Sequence, residues 1–492
     1  MDQINSIYSK QHPKIRQIFN SAPSLQKVLC VAMDYSKASH EVLFCNGYGD
    51  ILKKSFVVKN SPDGIAKLLE QIKKTCEHRS IKKRHVFLGG EDTPLYVLNF
   101  HAALKKEGYL VAYVNAWTAS KQKENHQAST DRIDVLAIAK ALLHNASYCH
   151  HSQDSIYRAL RETSRTRSYF VEQFTAAKLQ IHHYVSLLFP GFLNENSSGL
   201  PPFSKASQEL MSLNFSSTQI AQRQLSTLEK LLDKHGCENA QATALKLKAL
   251  ARVVLPPPAD MCPIWQRSLA QYVEHYRHLE KSTKTLEKEL AHILIKTPAA
   301  SLTSIKGVGI LIASGIVSEM GDPLHWKGLR HISSYAGIVP RVEQTGGPEK
   351  ASHTGSVKKR CNRRAKHWVV LAGSKMGECG PEELQREHQR LKSNDQHADF
   401  IMARRLLRIG KDIVRRATVY RPKELLNEDT DRQTLLLYYH SLWGQLVEKW
   451  RSLLSLDELC NPQYPLGQWR QMVQEMYKIS LAIPKQRTAE AN

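Results

Sequence analysis

Between residues 28 and 114 short apolar runs alternate with amphipathic stretches, and past residue 150 the pattern is helical almost throughout. Val28-Leu29-Cys30-Val31-Ala32-Met33 reads as a buried strand. Glu41-Val42-Leu43-Phe44-Cys45 is its hairpin neighbour across a turn near Ser36 to Ser39, and Ser55-Phe56-Val57-Val58 is a third strand. Asn60 or Ser61, then Pro62, opens a helix with Ile65, Leu68, Leu69 and Ile72 on one face. His85-Val86-Phe87-Leu88-Gly89-Gly90 is another strand, followed by a helix through Tyr96, Leu98, Phe100 and Leu104. Gly108 ends that helix, and Tyr109 to Val114 is a fifth strand. Alternation at this density predicts a three-layer α/β domain over 27–150, behind a polar leader at 1–26 with little to pack.

The remainder reads as all-α. Over 151–298, Tyr157, Leu160 and Phe170 accompany a charged side made by Arg158, Arg161, Arg165 and Arg167, with loops at 194–205 and at Pro256-Pro257-Pro258. A long, coiled-coil-like helical arm with irregular heptads is expected there, suited to dimerisation. Residues 299–378 form a compact glycine-rich unit, and 379–492 a helical C-terminal extension. In that extension Leu435, Tyr439, Leu442, Leu446, Trp450 and Leu453 repeat at spacings of three and four and should face a core.

Charge changes the picture. Sixty-nine Lys and Arg against 46 Asp and Glu leave the chain at +23, which points to a polyanionic partner, most simply double-stranded DNA. A membrane role is set aside, because the most apolar stretch, Gly307 to Val317, is too short to cross a bilayer. Residues 1–20 are polar and charged, so no signal peptide is expected. Nine cysteines without a CxxC pair fit a reducing, cytoplasmic setting, with neither disulfides nor structural zinc. Cys149-His150-His151 makes a poor zinc site, since adjacent ligands rarely chelate well and no second pair is suitably spaced.

The candidate chemistry begins with acids. Asp34 and Glu91 each follow an apolar run, at the carboxyl ends of strands where open α/β sheets gather their sites. Thr130-Asp131-Arg132-Ile133-Asp134 places two more carboxylates one helical turn apart, with Thr130 suited to an N-cap. An ordinary acidic helix start would look the same. Four converging carboxylates, however, need divalent cations to offset their repulsion, and hard oxygen donors select magnesium, with manganese the alternative. Two such cations can activate the attacking oxygen and steady the leaving one in phosphodiester chemistry.

Further along, Ser304-Ile305-Lys306-Gly307-Val308-Gly309-Ile310 places a Gly-x-Gly turn before an apolar helix, the arrangement of a helix-hairpin-helix element that grips phosphate through backbone amides. A tight helical hairpin without ligand gives the same pattern. From Lys327 to Trp368 there are ten Lys or Arg against two acids, including Lys358, Lys359, Arg360, Arg363 and Arg364. A solvated basic face is the plain reading of such a run. Its neighbour Thr345-Gly346-Gly347 would suit a nucleophile or phosphate clamp. Arg404, Arg408, Lys411 and Arg415 make a basic stripe at helical spacing, either backbone-contacting or merely solvated.

On these residues the chain resembles the DEDD transposases of the bridge-RNA-guided insertion-sequence family, which includes the Piv-type pilin-gene invertases. The matching elements are Asp34, Glu91-Asp92-Thr93-Pro94-Leu95-Tyr96, Thr130-Asp131-Arg132-Ile133-Asp134, Ile305-Lys306-Gly307-Val308-Gly309 and Ser334-Tyr335-Ala336-Gly337-Ile338-Val339-Pro340. The resemblance covers about 28–145 and 300–376. It implies a RuvC/RNase H-like N-terminal domain holding magnesium on Asp34, Glu91, Asp131 and Asp134, and a small helix-hairpin-helix-containing transposase domain whose serine attacks DNA and becomes joined to it. It also implies a structured non-coding guide RNA and a homodimer or homotetramer. Where the family carries Ser-Gly after its Gly-Leu-x-Pro segment, this chain has Gln344-Thr345-Gly346-Gly347. Thr345 is thus the aligned hydroxyl, with Ser352 and Ser356 nearby, and its extra methyl crowds an in-line approach. A DNA recombinase is the first expectation. A metal-dependent endonuclease or junction resolvase, or a repurposed non-catalytic nucleic-acid-binding protein, are the alternatives.

Overall fold

The first two apolar runs pair as their alternation predicts: β1 (Leu29–Tyr35) and β2 (Ser39–Asn46) are antiparallel, from Leu29 opposite Asn46 to Tyr35 opposite His40. This computed structural model describes residues 12–92, 97–123, 130–144, 147–148, 155–326, 328–343, 353–357, 361–394, 397–425 and 431–481. They belong to two compact units, Met1–Ser152 and Gln153–Asn492.

In the first unit β3 (Ile51–Lys59), β4 (Val86–Glu91), β5 (Leu110–Val114) and β6 (Ser147–Tyr148) complete a sheet in the order β3-β2-β1-β4-β5-β6. The β1–β4 and β4–β5 pairs are parallel and the others antiparallel. The helices are α1 (Pro13–Ser21), α2 (Pro62–Arg79), α3 (Leu98–Lys106), α4 (Ala116–Lys121) and α5 (Asp131–Leu143). Strand alternation sends Leu29, Val31 and Met33 into one core, and Cys30 and Ala32 into another with Phe87, Val135 and Ile138. Both faces of the sheet are therefore covered, as a three-layer domain requires. The polar leader is not idle: Ile15 and Ile18, one turn apart on α1, are buried in the α5-side core. With Phe19 against the Phe87 ring, these few apolar residues in a polar stretch dock a short helix, and a composition average hides them.

In the second unit α6 (Ser155–Leu188) and α12 (Cys262–Leu294) run antiparallel. Arg167 meets Glu287, Phe174 stacks on Tyr276 at 4.5 Å, and Tyr184 on Tyr272 at 5.8 Å. Between them lie α7 (Glu195–Ser198), α8 (Lys205–Ser212), α9 (Ser217–Gln222), α10 (Leu225–Lys234) and α11 (Ala240–Val253), sharing a core with the pair that runs from Ala177 to Tyr276 and Leu279. A 3-10 turn (Pro298–Ser304) then leads into α13 (Ile310–Met320), α14 (Leu329–Tyr335), the hairpin β7 (Pro340–Glu343) and β8 (His353–Val357), and α15 (Arg363–Cys379). The chain continues through α16 (Glu382–Ser393), α17 (Ala398–Arg415), α18 (Arg432–Trp450), α19 (Leu456–Leu459) and α20 (Pro465–Tyr477). One core joins Leu302, Ile305, Val308 and Ile316 to Met402, Leu406, Trp443, Leu446 and Trp450. The predicted stripe on α18 is buried at Leu435, Tyr439, Leu442, Leu446 and Trp450, and closes this core. No helix among the described residues is long and apolar enough to cross a membrane.

Candidate active site

The parallel register of β1 and β4 sets the first two acids side by side. Met33 pairs with Gly90, so Asp34 and Glu91 are the next residues along adjacent strands, roughly 4.8 Å apart in strand spacing. By alternation both share the face on which Cys30, Ala32 and Phe87 meet α5. A Cβ on Gly89 would stand 2.5 Å from Leu142 Cδ2 and 2.8 Å from the Ala112 carbonyl, so glycine there lets α5 lie close on the sheet. Thr130 caps α5, accepting from the Ile133 amide at 3.4 Å, and Asp131 and Asp134 occupy its first turn.

The four acids feel one another. Burial pushes the Asp34 carboxyl up to about 6, and the charges of Asp134, Glu91 and Asp131 add to the rise. Glu91 is raised as well, by burial and by Asp134, with Lys123 opposing. Lys123 is absent from the site expected from sequence; its Nζ lies 2.7 Å from Asp134 Oδ1. Its signal was only that a cation precedes the acidic helix. Among the described residues no three His, Cys, Asp or Glu side chains are disposed to hold one metal ion, and Asp134 is engaged by the Lys123 ammonium. The donor set still suits a hard divalent cation: it is all carboxylate oxygen, and burial and neighbouring carboxylates raise Asp34 and Glu91. A cavity of about 890 Å³ lies at the other end of α5, among Phe19, Leu25, Tyr48, Lys140 and His144, and none of the four acids lines it.

The candidate nucleic-acid residues all fall in the second unit. Lys306 is exposed, Gly307 adopts φ +93°, and Gly309 caps α13. The two glycines differ in purpose. A Cβ on Gly307 would sit 2.5 Å from the Lys375 carbonyl of α15, whereas one on Gly309 would meet nothing within 4 Å among the described residues. Arg363 and Arg364 are exposed in the first turn of α15, where no acid offsets the helix dipole, so cations there favour an external anion. They stand about 18 Å along α15 from the Gly307 contact, by helical rise over 12 residues. Arg404 and Arg408 are exposed on α17. Thr345, Ser352, Lys358, Lys359 and Arg360 lie outside the described residues, and of Ser356 only the backbone, in β8, is described.

A buried network that sequence reasoning did not anticipate fixes the start of α15. Glu319, 2% exposed, accepts from Arg165 Nε at 2.9 Å and Nη2 at 3.0 Å, and from Asn362 Nδ2 at 3.0 Å. Asn362 caps α15 through its Oδ1, and its Nδ2 also donates to the Tyr335 hydroxyl. Arg161 donates to the Ser318 carbonyl and Arg167 to Glu287. Much of the charged side expected on α6 is therefore spent within the protein. The available signal was a single acid, Glu319, closing an otherwise apolar helix.

Two family models match the chain, one described as transposase (the DEDD, IS110 type) over residues 31–190 and one as transposase of the IS116/IS110/IS902 family over 299–387. Together they span just over half of the 492 residues. The transposase for insertion sequence element IS1328 of Yersinia enterocolitica is 31% identical over 102 residues, 20% of this chain and 30% of that protein. A probable family 20 transposase of Pseudomonas aeruginosa is 27% identical over 122 residues, 25% of this chain and 34% of that protein. The pilin gene-inverting protein of Moraxella bovis is 30% identical over 91 residues, 16% of this chain and 28% of that protein. The chain thus aligns with about a third of the length of these curated relatives. On the two matched regions, which contain the acid quartet and the Gly-Val-Gly turn, the chain belongs to the IS116/IS110/IS902 family of transposases.

Proposed function

We propose that this protein is a DNA transposase or site-specific recombinase with a RuvC-like catalytic unit. The observation that carries the reading is the convergence on Asp34: three other carboxylates, from a neighbouring strand end and from a helix start far along the chain, act on it together. Magnesium or manganese held by Asp34, Glu91, Asp131 and Asp134 would supply activation of the attacking oxygen and stabilisation of the leaving one. Thr345, from its alignment with the family serine, is the proposed nucleophile. Its Oγ loses a proton and bonds to phosphorus while the deoxyribose oxygen departs, leaving a phosphothreonine ester to DNA. Lys306, Gly307, Gly309, Lys358, Lys359, Arg360, Arg363, Arg364, Arg404 and Arg408 hold the phosphates. A structured guide RNA, a dimeric or tetrameric assembly and a cytoplasmic, nucleoid-associated setting complete the proposal, on the family resemblance.

The test is a covalent protein–DNA adduct formed with magnesium and trapped in denaturant. Loss of the adduct in Thr345→Ala and in Asp34→Asn supports recombination. Free-ended cleavage that survives Thr345→Ala supports a nuclease in which water attacks. Sequencing of copurified RNA tests guidance: a discrete structured species supports it and random fragments refute it. The Lys123–Asp134 pair favours a second reading, a repurposed nucleic-acid-binding protein in which an ammonium stands where a metal would. In that case Lys123→Ala gains no cleavage and magnesium leaves the melting temperature unchanged.

A further inference from the structure

We propose that Lys449, on α18, is a positioning residue for the phosphate-facing turn at 306–310, so that the C-terminal helices form the inner wall of the nucleic-acid grip. The inference rests on reading that turn as a phosphate contact. Lys449 Nζ donates to the carbonyls of Thr303 at 2.5 Å, Ile305 at 3.3 Å and Val308 at 3.4 Å. An ammonium has three N–H donors, and all three are directed at this turn, which leaves none for DNA. The carbonyls concerned lie at and just past the end of the 3-10 segment, where intrahelical partners run out. Two neighbouring contacts act the same way: Trp450 Nε1 donates to Thr303 Oγ1 at 3.1 Å, and the Tyr420 amide to Ser304 Oγ at 2.9 Å. Burial pushes the Lys449 ammonium down to about 8, which leaves it protonated at neutral pH.

The turn therefore has two sides. Its inner side is held by residues 420, 449 and 450, and its outer side presents exposed Lys306 and the open space beside Gly309. The matched family region ends at 387, yet the side chains that brace the turn come from beyond it. The extension thus acquires a role: it sets the backbone angles at which the amides of Gly309 and Ile310, together with Lys306, meet a phosphate, the Val308 amide being held by the Ile305 carbonyl at 3.0 Å.

Lys449→Met keeps the chain length and removes the donors. In the free full-length protein the amides of 305–310 should then exchange faster with solvent. Affinity for a short duplex DNA should fall about tenfold, as for losing one well-placed charged hydrogen bond. The slope of log affinity against log salt should stay unchanged, because no phosphate contact of Lys449 itself is lost, while Lys306→Ala lowers that slope by about one. Combined, the two substitutions should cost less than the sum of their separate losses, since a loosened turn keeps the Lys306 charge near the phosphate but holds it in poorer hydrogen-bond geometry. Unaltered exchange, unaltered affinity, a slope reduced by about one in Lys449→Met, or strictly additive losses each overturn the proposal. Should Lys306→Ala change neither affinity nor slope while Lys449→Met still loosens the turn, the phosphate reading of the turn is what fails, and the positioning role falls with it. If Lys449→Met does not fold, Trp450→Phe, which removes one donor to Thr303, is read for the same pattern at smaller size.

Discussion

Asp34→Asn should make the metal-free protein more stable while abolishing its proposed chemistry. Asp34 is held at about 6 against an ordinary 3.8, chiefly by burial and then by Asp134, Glu91 and Asp131. Between those values the folded protein binds more protons than the unfolded chain, so this carboxyl lowers stability as pH rises through the window. A shift of roughly two units is worth about 3 kcal/mol at full weight, and the half-buried side chain brings that to about 1 kcal/mol after solvent screening. The amide removes the charge at similar volume. Hydrogen exchange of the β1 amides in the full chain reads the effect locally: at pH 7.5 the Asn variant should exchange about fivefold to tenfold more slowly, and below pH 3.8 the two proteins should match. His101 contributes an opposite slope. Burial, with Lys105 and His40, pushes it down to about 3 while it bridges the Tyr35 and Tyr113 hydroxyls, so it destabilises as pH falls below 6.5; the comparison with Asp34→Asn cancels it. Millimolar magnesium should reverse the order by stabilising wild type alone. Equal or faster exchange in Asp34→Asn at pH 7.5 would refute the convergence of the four acids.

Glu319→Gln should cost about 2 kcal/mol at pH 7, less than a fully buried pair because Arg165 is partly exposed, as measured by denaturant unfolding. Burial pushes Glu319 up, but the bonds and charge of Arg165 and the bond of Asn362 outweigh it and leave it lowered; the difference between the two proteins should therefore shrink on acidification below 4.5. Gly307→Ala, with φ +93° and a backbone clash against Lys375, should lower stability by about 2 kcal/mol or more. Gly309→Ala should change stability by less than about 0.5 kcal/mol, yet weaken duplex binding by placing a methyl on the outer face of the turn. Equal stability losses in the two variants would contradict their separate roles. Arg404→Gln with Arg408→Gln should lower the salt slope of DNA binding by about two with unchanged melting temperature; an unaltered slope would assign that stripe to solvent.

The local elements of the sheet were legible because each is encoded within a few residues. An apolar run followed by an acid gave β1 with Asp34 and β4 with Glu91, Ser61 and Pro62 opened α2, and Thr130 capped α5. The i, i+3 and i+4 spacing of α18 likewise named its buried face. Charge balance depends on composition alone, so the pull toward a polyanion needed no fold.

What required tertiary structure was every relation between distant segments. That α1 docks through Ile15 and Ile18, that Lys123 turns to Asp134, that Arg165 is spent on Glu319 across 154 residues, and that Lys449 reaches the 303–308 carbonyls depend on which surfaces meet. Sequence spacing carries information only across one helical turn or one strand pleat. Beyond that range a charge on a helix looks the same whether it faces water, a phosphate or a buried partner, and packing alone chooses among them.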